Sequence, residues 1–159
     1  ARPVLLALCD PAGAAAAHRA GPGARVSLAL GHAFTPGEPV GIEAVVESVS
    51  DGAFRLEDGG PGGVALSMGA TAVLAIGAIR LVVRSRPAME WDRALFASQG
   101  LDVASAALAF VKSPSHFRGS FGPLAARILV ADTPGPTAPD MRRIPFARVT
   151  RPLHPLDPL

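Results

Sequence analysis

A chain of 159 residues is one domain's worth, and apolar residues at 49% with charged residues at 18% exclude a disordered segment. No apolar run reaches the roughly 18 residues that cross a bilayer, and a formal net charge of +2 on scattered arginines gives no basic stripe for a nucleic acid. Cys9 is the only cysteine, which excludes an internal disulfide and a cysteine-rich zinc site and fits a reducing cytoplasm.

Only Arg2 precedes the first apolar run, so these residues carry no export-signal pattern, and the start at Ala1, almost inside a strand, is expected to mark a domain boundary or a trimmed end. Val4 to Leu8 is apolar on both faces, the pattern of a strand in the middle of a sheet covered on both sides. Asp10 then caps a helix, with Pro11 at its first position and Gly21 just past its end. Four alternating segments follow. Val26, Leu28 and Leu30 share one face. Val40, Ile42, Ala44 and Val46 oppose Glu43 and Glu47. Phe54 and Leu56 alternate with Arg55 and Glu57, and Ile79, Leu81 and Val83 with Arg80 and Arg84. These patterns predict half-exposed antiparallel strands joined by turns at Asp51-Gly52 and Gly59 to Gly63.

A second helix is predicted from Trp91 to Gln99, stopping at Gly100. Ala106 to Val111 and Ile128 to Ala131 are two more strands apolar on both faces. Between them Ser113 is expected to cap a third helix, with Pro114 at its first position and Phe117 and Phe121 on its inner face. The fold class is α/β: a mixed sheet with buried parallel strands, flanking helices and an antiparallel insertion, over residues 1–131. Residues 132–159 hold seven of the sixteen prolines and form an extended tail expected to pack on the same domain.

The strongest local feature is Lys112-Ser113-Pro114-Ser115-His116-Phe117. A buried strand ends in the chain's only lysine, and a helix with histidine in its first turn follows. Open α/β sheets bind ligands beyond the carboxyl ends of parallel strands. A helix start with an ammonium beside it suits a carboxylate or developing oxyanion, and His116 there would tend towards its neutral form. The bland alternative has Ser113 as a simple cap, Lys112 solvated and His116 packed beside Phe117. A second feature, Arg84-Ser85-Arg86, could clamp a carboxylate, though a solvated strand end explains it as well. His18, His32 and His154 have no metal-site spacing, no Gly-x-Ser-x-Gly elbow supports Ser113 as a nucleophile, and Gly59 to Gly63 lacks the Lys-Ser/Thr of a phosphate loop.

Lys112-Ser113-x-x-His116-Phe117-Arg118 with Phe121-x-Pro123-x-Ala125 resembles the signature of the C-terminal domain of microcystinase C (MlrC)-like metallopeptidases. Val130-x-Asp132-x-Pro134-Gly135, Asp140-Met141-x-Arg143-x-Pro145 and Arg151-Pro152-Leu153-x-Pro155-Leu156-Asp157-Pro158 follow in the family's order. Upstream, Ala20-Gly21-x-Gly23-Ala24, Leu30-Gly31, Met68-Gly69-x-Thr71-Ala72-Val73-Leu74 and Arg84-Ser85-Arg86 also match. The resemblance implies a zinc-dependent peptidase whose namesake cleaves linearised microcystin, with the zinc ligands in an N-terminal domain. Cys9 stands where an aromatic is frequent, and His32 where a glycine often follows Leu-Gly.

On this reading the chain completes the cleft of a zinc site carried by its N-terminal partner domain, takes a peptide-like substrate, holds no zinc alone and is inactive alone. A homo-oligomer is compatible with it. His116 and Lys112 are the expected catalytic residues; Ser113, Phe117, Arg84, Ser85 and Arg86 are the expected substrate contacts. The competing class is a non-catalytic binding or interdomain scaffold module.

Overall fold

The structure, a computed structural model, describes residues 2–34, 37–57, 63–131, 133 and 140–158. The chain divides into two compact units, Ala1–Ala126 and Arg127–Leu159.

The first unit is built on a six-stranded sheet. Its strands are β1 (Val4–Cys9), β2 (Arg25–Leu30), β3 (Val40–Ser50), β6 (Thr71–Ile76), β7 (Ile79–Arg84) and β8 (Leu108–Ala109), in the order β2-β3-β6-β7-β1-β8. β2, β3, β6 and β7 are successive antiparallel neighbours, whereas β1 runs parallel to both β7 and β8. A separate hairpin pairs β4 (Ala53–Arg55) with β5 (Ala65–Ser67). The mixed α/β sheet with its antiparallel insertion is therefore present.

Both faces of the sheet are covered. On one lies α1 (Pro11–Ala20), whose Ala14 and Ala17 pack with Leu30, Val46, Leu74, Leu81 and Val83. Small residues let this helix sit close: a Cβ added at Gly13 would lie 2.2 Å from a Leu30 methyl. The other face packs Leu5, Ala7 and Val82 against Phe54 and Leu56 of the hairpin segment, Leu95 and Phe96 of α2 (Ala94–Ala97) and Phe121 of α3 (Phe117–Phe121).

The first helix begins and ends where its capping residues predict. Asp10 is extended and its carboxylate accepts from Gly13 N, Pro11 opens the helix, and Gly21 closes it at φ 77°. Four expectations are corrected. The helix expected over Trp91–Gln99 shrinks to Ala94–Ala97, because the residues before it are held in turns by Asp92. The third helix begins at Phe117, not after Ser113, and Ser113 caps nothing. The strand expected over Ala106–Val111 keeps only Leu108–Ala109 in pairing and has one neighbour, β1, leaving Leu108 and Phe110 exposed.

The fourth concerns the second unit, where Ile128–Ala131 forms no strand and Leu129 and Val130 are exposed. Apolarity on both faces reported neither a central position nor a pairing partner for these two segments. The second unit contains a short 3-10 turn at Met141–Arg143, capped by Asp140, and cis peptide bonds at Arg151-Pro152 and His154-Pro155. Asp157 accepts from Arg151 at 2.7 Å and from Leu153 N at 2.6 Å, and the Arg151 bond holds its carboxyl below the usual range. Asp132, Pro134, Gly135 and most of the turn at Gly59 to Gly63 lie outside the described residues.

Candidate functional site

β7 and β1 run in one direction and end in register, and β8, parallel to the first residues of β1, leads the chain on towards the same edge, the position at which open α/β sheets bind ligands. Arg84 ends β7, and its register partner Cys9 ends β1. Lys112 and Ser113 follow β8. Asp10 is fixed at this edge: its N–H donates to Arg84 O at 2.9 Å, and its carboxylate accepts from Gly13 N at 2.9 Å and Gly31 N at 3.1 Å. The carboxylate thus ties the start of α1 to the end of β2.

Arg84 is only 2% exposed. Its side chain shares a sheet face with Val82, under the segment that leads into α2, and the alternating pattern of β7 gave no sign of that cover. The guanidinium forms an ion pair with Glu90, itself buried, and Nε donates to Arg86 O at 3.1 Å. Arg84 is therefore neither a solvated strand end nor a rim group. Three buried polar side-chain atoms lack a hydrogen-bond partner among the described residues: Arg84 Nη1, Glu90 Oε2 and Ser113 Oγ. All three belong to this region. Burial pushes the Cys9 thiol pKa up; Arg84 opposes that shift, Glu90 and Asp10 add to it, and Lys112 opposes it more weakly.

The remaining expected residues fall into two groups. Lys112 and His116 are exposed. The His116 ring lies against Trp91, with centroids 5.6 Å apart and planes tilted by 38°, and its Nδ1 is 3.4 Å from Ser115 Oγ. Phe117 is half-buried beneath the Arg118 guanidinium, 5.2 Å from its ring centroid. His116 stands at the boundary of a five-residue helix with no side-chain cap, so the anion-binding helix start expected at Ser113 is not formed. Across the edge, Ser85 and Arg86 extend the pairing beyond β7, their N–H groups donating to Ala70 O at 3.0 Å and Met68 O at 2.9 Å. Ser85 is half-buried and Arg86 exposed. Lys112, His116 and Arg86 are thus the fully exposed members of the expected site.

Sequence reasoning missed Glu90, Asp92 and Ser120. Asp92 accepts from Glu57 N at 3.0 Å and Ala94 N at 2.9 Å, joining the hairpin segment to α2. Ser120 Oγ accepts from Arg93 N at 2.8 Å, tying α3 to the same turn. An acid two residues before a helix is a readable capping signal; the partner of Glu90 is not readable locally.

Among the described residues no three His, Cys, Asp or Glu side chains gather as a ligand set. His18 is exposed with Nε2 3.3 Å from Ser50 O, and His32 and His154 are exposed elsewhere. No described helix is long and apolar enough to cross a membrane.

The family profile described as the MlrC C-terminus matches residues 1–148. The chain belongs to the MlrC C-terminal domain family. A crystal structure of a protein from Mesorhizobium sp. BNC1, assigned as a metallopeptidase, superposes with a TM-score of 0.84 at 29% identity, over 99% of this chain and 32% of that one. This MlrC-type domain therefore spans about a third of that protein's length. No curated protein matches the chain.

Proposed function

We propose that this domain completes the substrate cleft of a zinc-dependent hydrolase of peptide or amide bonds, its Lys112–Phe117 loop facing a metal site carried by an N-terminal domain. The observation that carries this reading is that exposed Arg86 follows the end of β7 and exposed Lys112 and His116 follow β8, on one parallel part of the sheet in a domain of the MlrC family. Membership of the family and likeness to a protein assigned as a metallopeptidase support the reaction class. In this reading the zinc belongs to the partner domain; among the described residues no three His, Cys, Asp or Glu side chains gather as a ligand set.

The roles follow from exposure and chemistry. Lys112 offers an ammonium to an anionic group of the substrate. His116, held against Trp91, presents an imidazole that can donate a hydrogen bond or a proton to the reacting amide. Arg86 flanks the approach. The substrate is peptide-like, degradation of microcystin-type peptides is the family precedent, and the reducing cytoplasm is the compartment. In a polypeptide carrying both domains, His116→Ala should lower kcat/KM by about 100-fold. An unchanged kcat/KM would remove His116 from the chemistry and leave the scaffold reading, which the exposed Leu108 and Phe110 at the β8 edge favour.

A further inference from the structure

A buried polar atom without a partner is costly, and native structures rarely keep one. The three such side-chain atoms found among the described residues are on Arg84, which ends β7 beside Cys9, on its ion-pair partner Glu90, and on Ser113, next to Lys112, whose charge acts on Cys9 together with those of Arg84 and Glu90. Arg84 is 2% and Glu90 9% exposed, and the ion pair between them uses one nitrogen and one oxygen, leaving Nη1 as a free donor and Oε2 as a free acceptor. Lys112 makes no hydrogen bond or ion pair with the described residues, whereas Asp10 spends both oxygens on backbone N–H groups. The uncommitted capacity is thus two cationic donors, one carboxylate acceptor and the Ser113 hydroxyl. A group with one N–H and a neighbouring carboxylate matches this set: the last residue of a peptide, or any N-acylated amino acid.

We propose that the Arg84–Glu90 pair, with Lys112 and Ser113, forms a subsite for the terminal carboxylate and last amide N–H of a peptide ligand. Arg84 Nη1 and Lys112 Nζ donate to the carboxylate, and Glu90 Oε2 accepts from the N–H. The region is not sealed: Cys9 and Ser113 are half-buried and Lys112 is exposed, so in this proposal the ligand approaches from the Lys112 side, past Cys9. This names the end of the substrate that the domain holds and rests on the peptide-hydrolase reading above.

Cys9 is the only thiol in the chain and so a single-site reporter. The test measures its alkylation by iodoacetamide in the 159-residue chain, with and without N-acetyl-alanyl-alanine, the C-terminal amide of that peptide, or sodium acetate. The acid should protect Cys9 saturably, and the amide and acetate should do so at least about tenfold more weakly. Lys112→Gln, at an exposed position that folding tolerates, should weaken protection by the acid about tenfold, each variant being referred to its own rate without peptide. Glu90→Gln should weaken it too while preserving the side-chain shape. Equal protection by acid and amide, an unaltered Lys112→Gln, or no protection at all overturns the subsite. A subsite that fails here while His116→Ala still cripples the two-domain enzyme leaves the hydrolase reading standing. Protection with no effect of His116→Ala does the reverse.

Discussion

Asp10 is the residue on which the edge of the sheet depends most directly. It is 1% exposed, and each oxygen has its own backbone partner, Gly13 N at 2.9 Å and Gly31 N at 3.1 Å. Asp10→Ala removes the N-cap of α1, worth about 1 kcal/mol. It also leaves the Gly31 N–H, at the end of β2, without its charged acceptor, for about 2 kcal/mol more. The sum is about 3 kcal/mol, and at roughly 2–4 °C per kcal/mol for a chain of this size Tm should fall by about 6–12 °C. Asp10→Asn keeps one acceptor oxygen but turns an NH2 group towards the other donor, so it should lose about half as much. Urea unfolding followed by far-UV circular dichroism, with m unchanged, reads both values. A loss below about 1 kcal/mol for Asp10→Ala, or equal losses for the two variants, would show that the carboxylate does not bridge α1 and β2.

Two further outcomes follow from burial. Glu90→Ala leaves Arg84 buried and unpaired and should cost about 3–5 kcal/mol. Adding Arg84→Met should recover a substantial part in the same urea assay, and a double variant no more stable than the single one would refute a buried-charge origin. Burial raises the Cys9 pKa in the folded chain, so its thiolate forms at higher pH there than in the unfolded chain. Stability from the neutral thiol is therefore full below the unfolded value and lost as pH rises through the folded one. The pH midpoint of Cys9 alkylation should lie higher in buffer than in concentrated urea, and an equal or lower midpoint would contradict it.

Legibility in the sequence followed how local the determining physics is. Asp10-Pro11 and Gly21 specify a helix through contacts within a few residues, and both ends of α1 fall where they place them. The alternation of β2 and β3 likewise reports one buried face, which α1 covers. Trp91–Gln99 carries helical periodicity, yet Asp92 binds Glu57 N across the fold and keeps the first part in turns. The run Ala106–Val111 is apolar enough for a central strand, but only its middle pairs. Lys112 and His116 were legible as candidates because a strand end followed by a charged loop is a sequence feature. The helix start expected beside them was not, since Ser113 and Pro114 resemble a cap wherever the helix itself begins.

Arg80 and Arg84 show why the burial of Arg84 and its pairing with Glu90 escaped a local reading. They lie on one face of one strand, four residues apart, and alternation treats them identically. Arg80 pairs with Glu47 at 2.7 Å and keeps a quarter of its side chain in water, whereas Arg84 is enclosed. The difference comes from residues 85–93, which turn back over the carboxyl end of β7 and bring Glu90 onto the guanidinium. No stability argument requires a charge there, since replacing a buried ion pair with apolar residues is often neutral or favourable. An arginine enclosed where β7 and β1 end in register, with a nitrogen to spare, fits the proposed subsite better than a role in holding the sheet together.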